Sequence, residues 1–243
     1  MREFCVFAIL IACFTYSSAV YSYTKEQVLN DFQCKNSNEP ECYFLKRSLN
    51  RDSKKCYQPL SKVKNFAPFV FPEYKNENKK ITVSGWINYR GVFPGKYKYQ
   101  VYKDKNGNIN LYTNVHLSNV YEDSDIFKTL RTSAKNAAAK WTKDNPFKTK
   151  VNFIFDITTD YFKGFISATL LNTETRGPYF WFWSKNWDEQ MMHEFAHILG
   201  LDDEYESLEN YPKDSMMGIP PSYPKSKIYP YHYYLIFRRI LCH

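Results

Sequence analysis

The stretch HEFAHILGLDDEY, residues 193–205, constrains this chain more than any other segment. It holds two of the chain's five histidines, four residues apart, with a glutamate directly after the first. Residues four apart stand one above the other on a helix. His193 and His197 can therefore converge on one point only if this segment is helical. Gly200 follows three residues later, where a left-handed residue ends a helix and turns the chain sharply. Asp203 comes three residues further on, so that turn can bring its carboxylate back under the histidines. A helix over about 188–199 is predicted, with Asp188 and Glu189 suited to its positive end.

A scaffold for such a helix is readable upstream. From Ile81 a regular alternation begins. ITVSGWINYR predicts a strand. KYKYQVYKDKNGNINLYTNVHLSNVY predicts two strands joined at DKNGN, where Asn106-Gly107 suits a tight hairpin. A long helix follows over 124–143, with Ile126, Leu130, Ala134, Ala137 and Trp141 on one face and Asp144-Asn145-Pro146 to stop it. VNFIFDIT and GFISATLL predict further strands, and YHYYLIFRRIL predicts a last helix. GPYFWFW reads equally as a core strand or as an aromatic wall beside a cleft. This order of elements is that of an α+β domain. Residues 20–80 show no regular period and read as an irregular, disulfide-pinned preface to a domain over 81–243. No internal repeat or low-complexity tract is present.

Length and composition fit that reading. A chain of 243 residues has room for one domain of ordinary size with a small appendage. Hydrophobic content of 44% is ample for a packed core, and the 21 tyrosines serve cores and wet surfaces alike. The formal charge of +8 favours acidic partners or an anionic surface. Lys and Arg are scattered, however, and no basic stripe accompanies a nucleic-acid-binding motif, so nucleic acid is not an expected partner.

The N-terminus reads as a secretory signal over residues 1–19. Arg2 precedes an apolar run over 6–14, and Ser17 and Ala19 stand where a signal peptidase reads small residues. A membrane anchor is the alternative, but a span needs about 20 apolar residues. No later stretch reaches that length, so no stable membrane insertion is expected after cleavage. Removing the signal removes Cys5 and Cys13 and leaves Cys34, Cys42, Cys56 and Cys242. An even number fits two disulfides and a secreted or periplasmic location. Three pairings are possible. Cys34–Cys42 is favoured because it closes a short loop, which leaves Cys56–Cys242 to tie the N-terminal segment to the last helix. A thiol that blocks a metal in a precursor is the other reading, without the proline and glycine context of such a switch.

Two imidazoles on one helical face suit zinc, and with one more ligand they leave an open position for water. Glu194 lies at the edge of that face, placed to take a proton from the water as it attacks a carbonyl. This is the H-E-x-x-H logic, and its extension here reads H-E-x-x-H-x-x-G-x-x-D. His193, His197 and Asp203 are thus the candidate ligands of one Zn2+ ion, and Glu194 is the candidate catalytic base. Asp202 and Glu204 flank Asp203, so a register off by one stays open. A more distant ligand such as Glu206 or Glu209 would make a different kind of zinc site.

The extended motif resembles that of the metzincin clan of zinc peptidases, which ends in His with Asp as a replacement. The clan also carries a methionine-containing turn beneath the metal. DSMMGI supplies one here, with Met217 as its base residue. The resemblance is specific over 188–218, architectural from Ile81 onward and silent on 23–80. It implies a zincin-like fold with a twisted mixed β-sheet, a long backing helix, an active-site helix and a C-terminal helix. It also implies a secreted zinc endopeptidase whose protein or peptide substrate lies extended beside an edge strand. The short interval between helix and turn implies a compact lower part and a shallow, open cleft.

Other residues carry less. His116 reads as a sheet residue, and His232 as structural or as facing the site. His243, at the C-terminus, reads as solvated. Tyr205, Tyr211 and Tyr223 are candidates for stabilising an oxyanion. Two rival functions stand beside the peptidase: an inactive zincin-fold binding or toxin-like module, and a structural zinc site. Glu194 has no evident purpose in the first. Structural sites close with four ligands, often Cys, and no Cys lies near. Mass spectrometry of the unreduced secreted protein should find a chain that starts after Ala19 and keeps residues 20–80. A chain starting near Ile81, with no linked N-terminal peptide, would refute this.

Overall fold

The computed structural model describes residues 23–72, 79–89, 93–171, 180–182, 187–204, 212, 214–218 and 226–243. The expected signal, 1–19, lies outside them. Among the described residues six strands form one mixed sheet. They are β1 (Lys80–Tyr89), β2 (Phe93–Lys103), β3 (Ile109–Ser118), β4 (Val151–Thr158), β5 (Ile166–Leu171) and β6 (Phe180–Phe182). β1, β2 and β3 run antiparallel in sequence. The β2–β3 turn closes as its sequence demands: Gly107 takes φ +83°, and Asp104 Oδ1 accepts from the amides of Asn106 and Asn108, each at 2.9 Å.

β3 organises the sheet. It pairs in parallel with both β4 and β5, and β5 pairs in parallel with β6. Residues 109–112 of β3 bond to β2 and β4 together, and residues 115–116 bond to β4 and β5 together. One edge of β3 therefore carries β4, and the other is shared between β2 and β5. Parallel neighbours need a crossover. Between β3 and β4 this is α5 (Asp125–Lys143), whose N-cap Ser124 accepts from the amide of Phe127 at 3.3 Å. Leu130, Ala134, Ala137 and Trp141 on α5 are wholly buried, as the periodicity predicts. The alternation of β4 is equally plain: Val151, Phe153, Phe155 and Ile157 point inward.

Two more helices complete the inner layer, α6 (Trp187–Ile198) and α7 (Pro230–Leu241). Phe195 of α6 stacks on Phe155 of β4 at 4.4 Å between ring centroids. Tyr99 of β2 donates to Ile236 O at 2.7 Å, and Tyr233 of α7 donates to Trp141 O at 2.8 Å. These phenols bury their rings without stranding a polar atom. GPYFWFW is resolved in part: residues 180–182 form β6, and the rest of that stretch lies outside the described residues.

The N-terminal segment departs from expectation. It is not irregular but carries α1 (Lys25–Asp31), α2 (Pro40–Arg51), α3 (Leu60–Lys64) and α4 (Ala67–Val70). Phe44, Leu45 and Leu49 of α2 and Val63 of α3 are buried, and Phe66 meets Phe237 of α7 at 5.1 Å. These residues share one core cluster with the sheet and helices downstream. Both favoured disulfides form, Cys34–Cys42 and Cys56–Cys242. No helix among the described residues is long and apolar enough to cross a membrane.

The segment also supplies a buried charge. Asp52, Arg238 and Arg239 are each wholly inaccessible to solvent. Asp52 Oδ2 accepts from Arg238 Nη2, and from Arg239 Nε at 2.7 Å. Burial alone would raise the Asp52 pKa, but the two guanidinium groups outweigh it and hold the carboxyl below its ordinary value. Removing one partner of a buried ion cluster strands the others, at a cost of about 3–5 kcal/mol. Asp52→Asn should lose stability of that order in urea unfolding. A depressed carboxylate contributes stability above its unfolded pKa, near about 4, and loses it as pH falls through the lower folded value. The acid-side fall in wild-type stability should therefore be shallower in Asp52→Asn.

Candidate metal centre

Helix α6 sits with one face on the sheet, where Met191, Phe195 and Ala196 are wholly buried. Its first turn is tied to α5 through Asn136 Nδ2, which donates to Asp188 Oδ2 at 2.9 Å. Its far end closes in a paired cap. Gly200 N donates to His197 O at 2.8 Å and Leu201 N to Ala196 O at 2.9 Å, with Gly200 at φ +87°. A Cβ on Gly200 would also stand 2.6 Å from Arg239 Nη1 and 2.8 Å from the Tyr97 ring. Backbone conformation and close packing both require glycine there.

The turn returns Asp203 to the histidines. Asp203 Oδ1 lies 3.3 Å from His193 Nε2 and 3.2 Å from His197 Nε2, and the two Nε2 atoms are 3.0 Å apart. The other ring nitrogens fix the tautomers. His193 Nδ1 stands 2.9 Å from Met216 O, and His197 Nδ1 stands 2.9 Å from Leu201 O. A carbonyl only accepts, so each Nδ1 carries a proton and each Nε2, the atom that would bind a metal, points inward. Three atoms of metal-ligand type thus face one another. Zinc bonds of about 2.0–2.1 Å at tetrahedral angles would set such atoms about 3.3 Å apart. This His/His/Asp group could hold a metal ion.

The electrostatics call for positive charge. Burial would lower the His197 pKa, but the Asp203 carboxylate outweighs it and raises the ring to about 9. Burial would raise Asp203, yet His197 and His193 hold it far below the usual carboxylate range. Glu194 shifts the other way: burial pushes its pKa up, and Asp203 adds to this while the two histidines oppose it.

The described residues after the helix, 199–204, are held by several partners. Arg239 Nη1 donates to Leu199 O at 2.7 Å and Nη2 to Gly200 O at 2.8 Å. Asp202 Oδ2 accepts from Arg51 Nη1 at 2.6 Å and lies 3.6 Å from Arg47 Nε. Arg47 Nη2 donates to Asp203 O. Glu204 Oε1 meets Tyr231 Oη and, at 2.9 Å, His232 Nε2, while Glu204 N donates to Met217 O at 2.9 Å. Asp202 and Glu204 are thus engaged away from the His193–His197–Asp203 group.

His232 turns to Glu204, and its Nδ1 accepts from Tyr229 N at 3.1 Å, so it does not join the three converging atoms. His116 lies on β3 with Nδ1 3.0 Å from Ser167 Oγ, and His243 is exposed. Glu206, Glu209, Tyr205, Tyr211 and Tyr223 lie outside the described residues. The methionine turn is pinned by Met216 N to Lys227 O at 3.0 Å and by Met217 N to Ser215 Oγ at 3.2 Å, with Met217 wholly buried.

Arg47, Arg51, Arg239 and Tyr231 were not among the residues singled out from the sequence. A signal existed for Arg239: two arginines inside the apolar run YYLIFRRIL imply a buried counter-ion. None existed for Arg47, whose partner is 156 residues away. If this group holds a metal ion, Asp203→Ala should lose it, because two protein ligands would remain, while the nearly isosteric Glu204→Gln should keep it. Metal analysis of both purified proteins after dialysis checks this, and the opposite pattern would move the third ligand to Glu204.

No protein-family model, curated protein or solved structure matches this chain, and the functional reading rests on the geometry above.

Proposed function

We propose that this chain is a secreted zinc endopeptidase of the metzincin kind, with a zincin-like domain over 81–243. His193, His197 and Asp203 hold one Zn2+ ion, and Glu194 is the general base. The observation that carries the reading is the convergence of His193 Nε2, His197 Nε2 and an Asp203 carboxylate oxygen beside a buried glutamate. Two imidazoles and a carboxylate suit zinc among the common metals. When bound, the ion supplies Lewis acidity and an acidified water. Asp203 leaves one positive charge fewer than a third imidazole would.

The chain's own groups do the rest. The carbonyls of Met216 and Leu201 orient the two imidazoles. The Glu194 carboxylate takes a proton from water as its oxygen bonds to the substrate carbonyl carbon. It returns that proton to the amide nitrogen as the C–N bond breaks. Its burial raises its pKa, and a raised pKa makes a carboxylate a stronger base. β6 ends the strand order just ahead of α6, and its outer edge is the surface proposed for an extended protein or peptide substrate. The two disulfides support an oxidising compartment and so the reading of residues 1–19 as a secretory signal.

Glu194→Gln should keep its zinc and lose peptidase activity by a factor of about 10²–10⁴, the usual worth of a general base. The assay is casein cleavage by the mature protein, with a chelator as the second arm. An unchanged rate would assign the base elsewhere. Zinc-loaded wild-type protein that cuts nothing across a broad panel would favour the inactive, toxin-like module.

A further inference from the structure

The two histidine ligands ride on a helix, which fixes them through its own hydrogen bonds. Asp203 does not. It lies on an irregular stretch, so its carboxylate is only as well placed as its backbone. The backbone oxygen of Asp203 accepts from Arg47 Nη2, across 156 residues of sequence. The same guanidinium sets Nε 3.6 Å from Asp202 Oδ2. One planar fork thus engages the side chain before the ligand and the main chain of the ligand itself.

Arg47 is itself held still. Its guanidinium lies over the Phe44 ring at 4.3 Å, one turn back on α2, and only 10% of its side chain is exposed. The helix is anchored at its C-terminal end, where Asp52 enters the buried cluster with Arg238 and Arg239. A few residues on, Cys56 is bonded to Cys242.

We infer that Arg47 is a positioning residue for Asp203, so that the metal centre is complete only with the N-terminal segment in place. This rests on the metal centre proposed above. The segment is then a working part of the site and not a removable propeptide. A lysine has one compact ammonium head and cannot reproduce the fork.

The test uses the mature full-length protein loaded with Co2+, whose visible absorption reports ligand geometry. Affinity is read by competition with a chromophoric chelator, without substrate, so the result does not depend on peptidase activity. Arg47→Ala should weaken Co2+ binding by about 10–100-fold, the range for residues that orient metal ligands. It should also alter the cobalt spectrum, and added methylguanidinium should restore both while an equal concentration of NaCl should not. Arg51→Ala, which removes the 2.6 Å bond to Asp202 Oδ2, should lower the urea midpoint and keep the wild-type cobalt spectrum. If Arg47→Ala does not fold, Arg47→Lys carries the test, with a weakened affinity and an altered spectrum expected. Wild-type affinity and spectrum in the folded Arg47 variants would overturn the inference. So would a loss in Arg47→Ala matched by Arg51→Ala, or a wild-type protein that takes up no cobalt.

Discussion

Arg239 is the point on which the architecture turns. It bonds to Asp52 from the N-terminal segment, to the carbonyls of Leu199 and Gly200 at the end of α6, and it lies over the Tyr97 ring of β2 at 4.3 Å. A helix C-terminus carries partial negative charge, and a cation there is favourable. A buried guanidinium costs several kcal/mol in desolvation unless its donors are met. For Arg239 they are met by parts of the chain that must come together for the turn carrying Asp203 to exist. Arg238 donates to Lys54 O and Cys56 O as well as to Asp52, while its buried Nε is left without a partner. With one carboxylate between two guanidinium groups, the remaining charge rests on backbone carbonyls, of which those of Leu199 and Gly200 open the turn that carries Asp203.

The acidic run Asp202-Asp203-Glu204 shows how the register of the site is chosen. Three adjacent carboxylates repel one another, and the fold separates them by giving each a different partner. Asp202 meets Arg51, Glu204 meets Tyr231 and His232, and Asp203 alone faces the two imidazoles. A shift by one residue that put Glu204 beside the two imidazoles would carry Asp203 into the arginine pair and take Glu204 from Tyr231 and His232. The specificity of the turn thus comes from its neighbours' partners as much as from Gly200.

What could be read in the sequence was local. The hairpin at Gly107, the alternation of β4, the buried stripe of α5 and the cap at Gly200 each follow from residues within a few positions of one another. The two disulfides followed from loop length and elimination. The grouping of His193, His197 and Asp203 was legible for the same reason, since a helix and one turn bring them together. The helices of the N-terminal segment were not. They run from 4 to 12 residues, too short to be stable alone, and they form because Phe44, Leu45 and Leu49 find a surface contributed by distant chain. Arg47 and Arg51 were hidden likewise, for nothing near them in sequence names partners more than 150 residues away.

The bridge between Cys56 and Cys242 joins positions 186 residues apart and so turns most of the chain into a covalent ring. Closing a ring of that size in the unfolded state removes entropy worth about 5 kcal/mol on the loop-closure view. A ring also answers damage differently from a line. One backbone cut anywhere between the two cysteines opens the ring without releasing a piece, so Asp52 stays tethered close to Arg238 and Arg239 and the broken chain can re-form the same core. A single nick within the ring then becomes a survivable event.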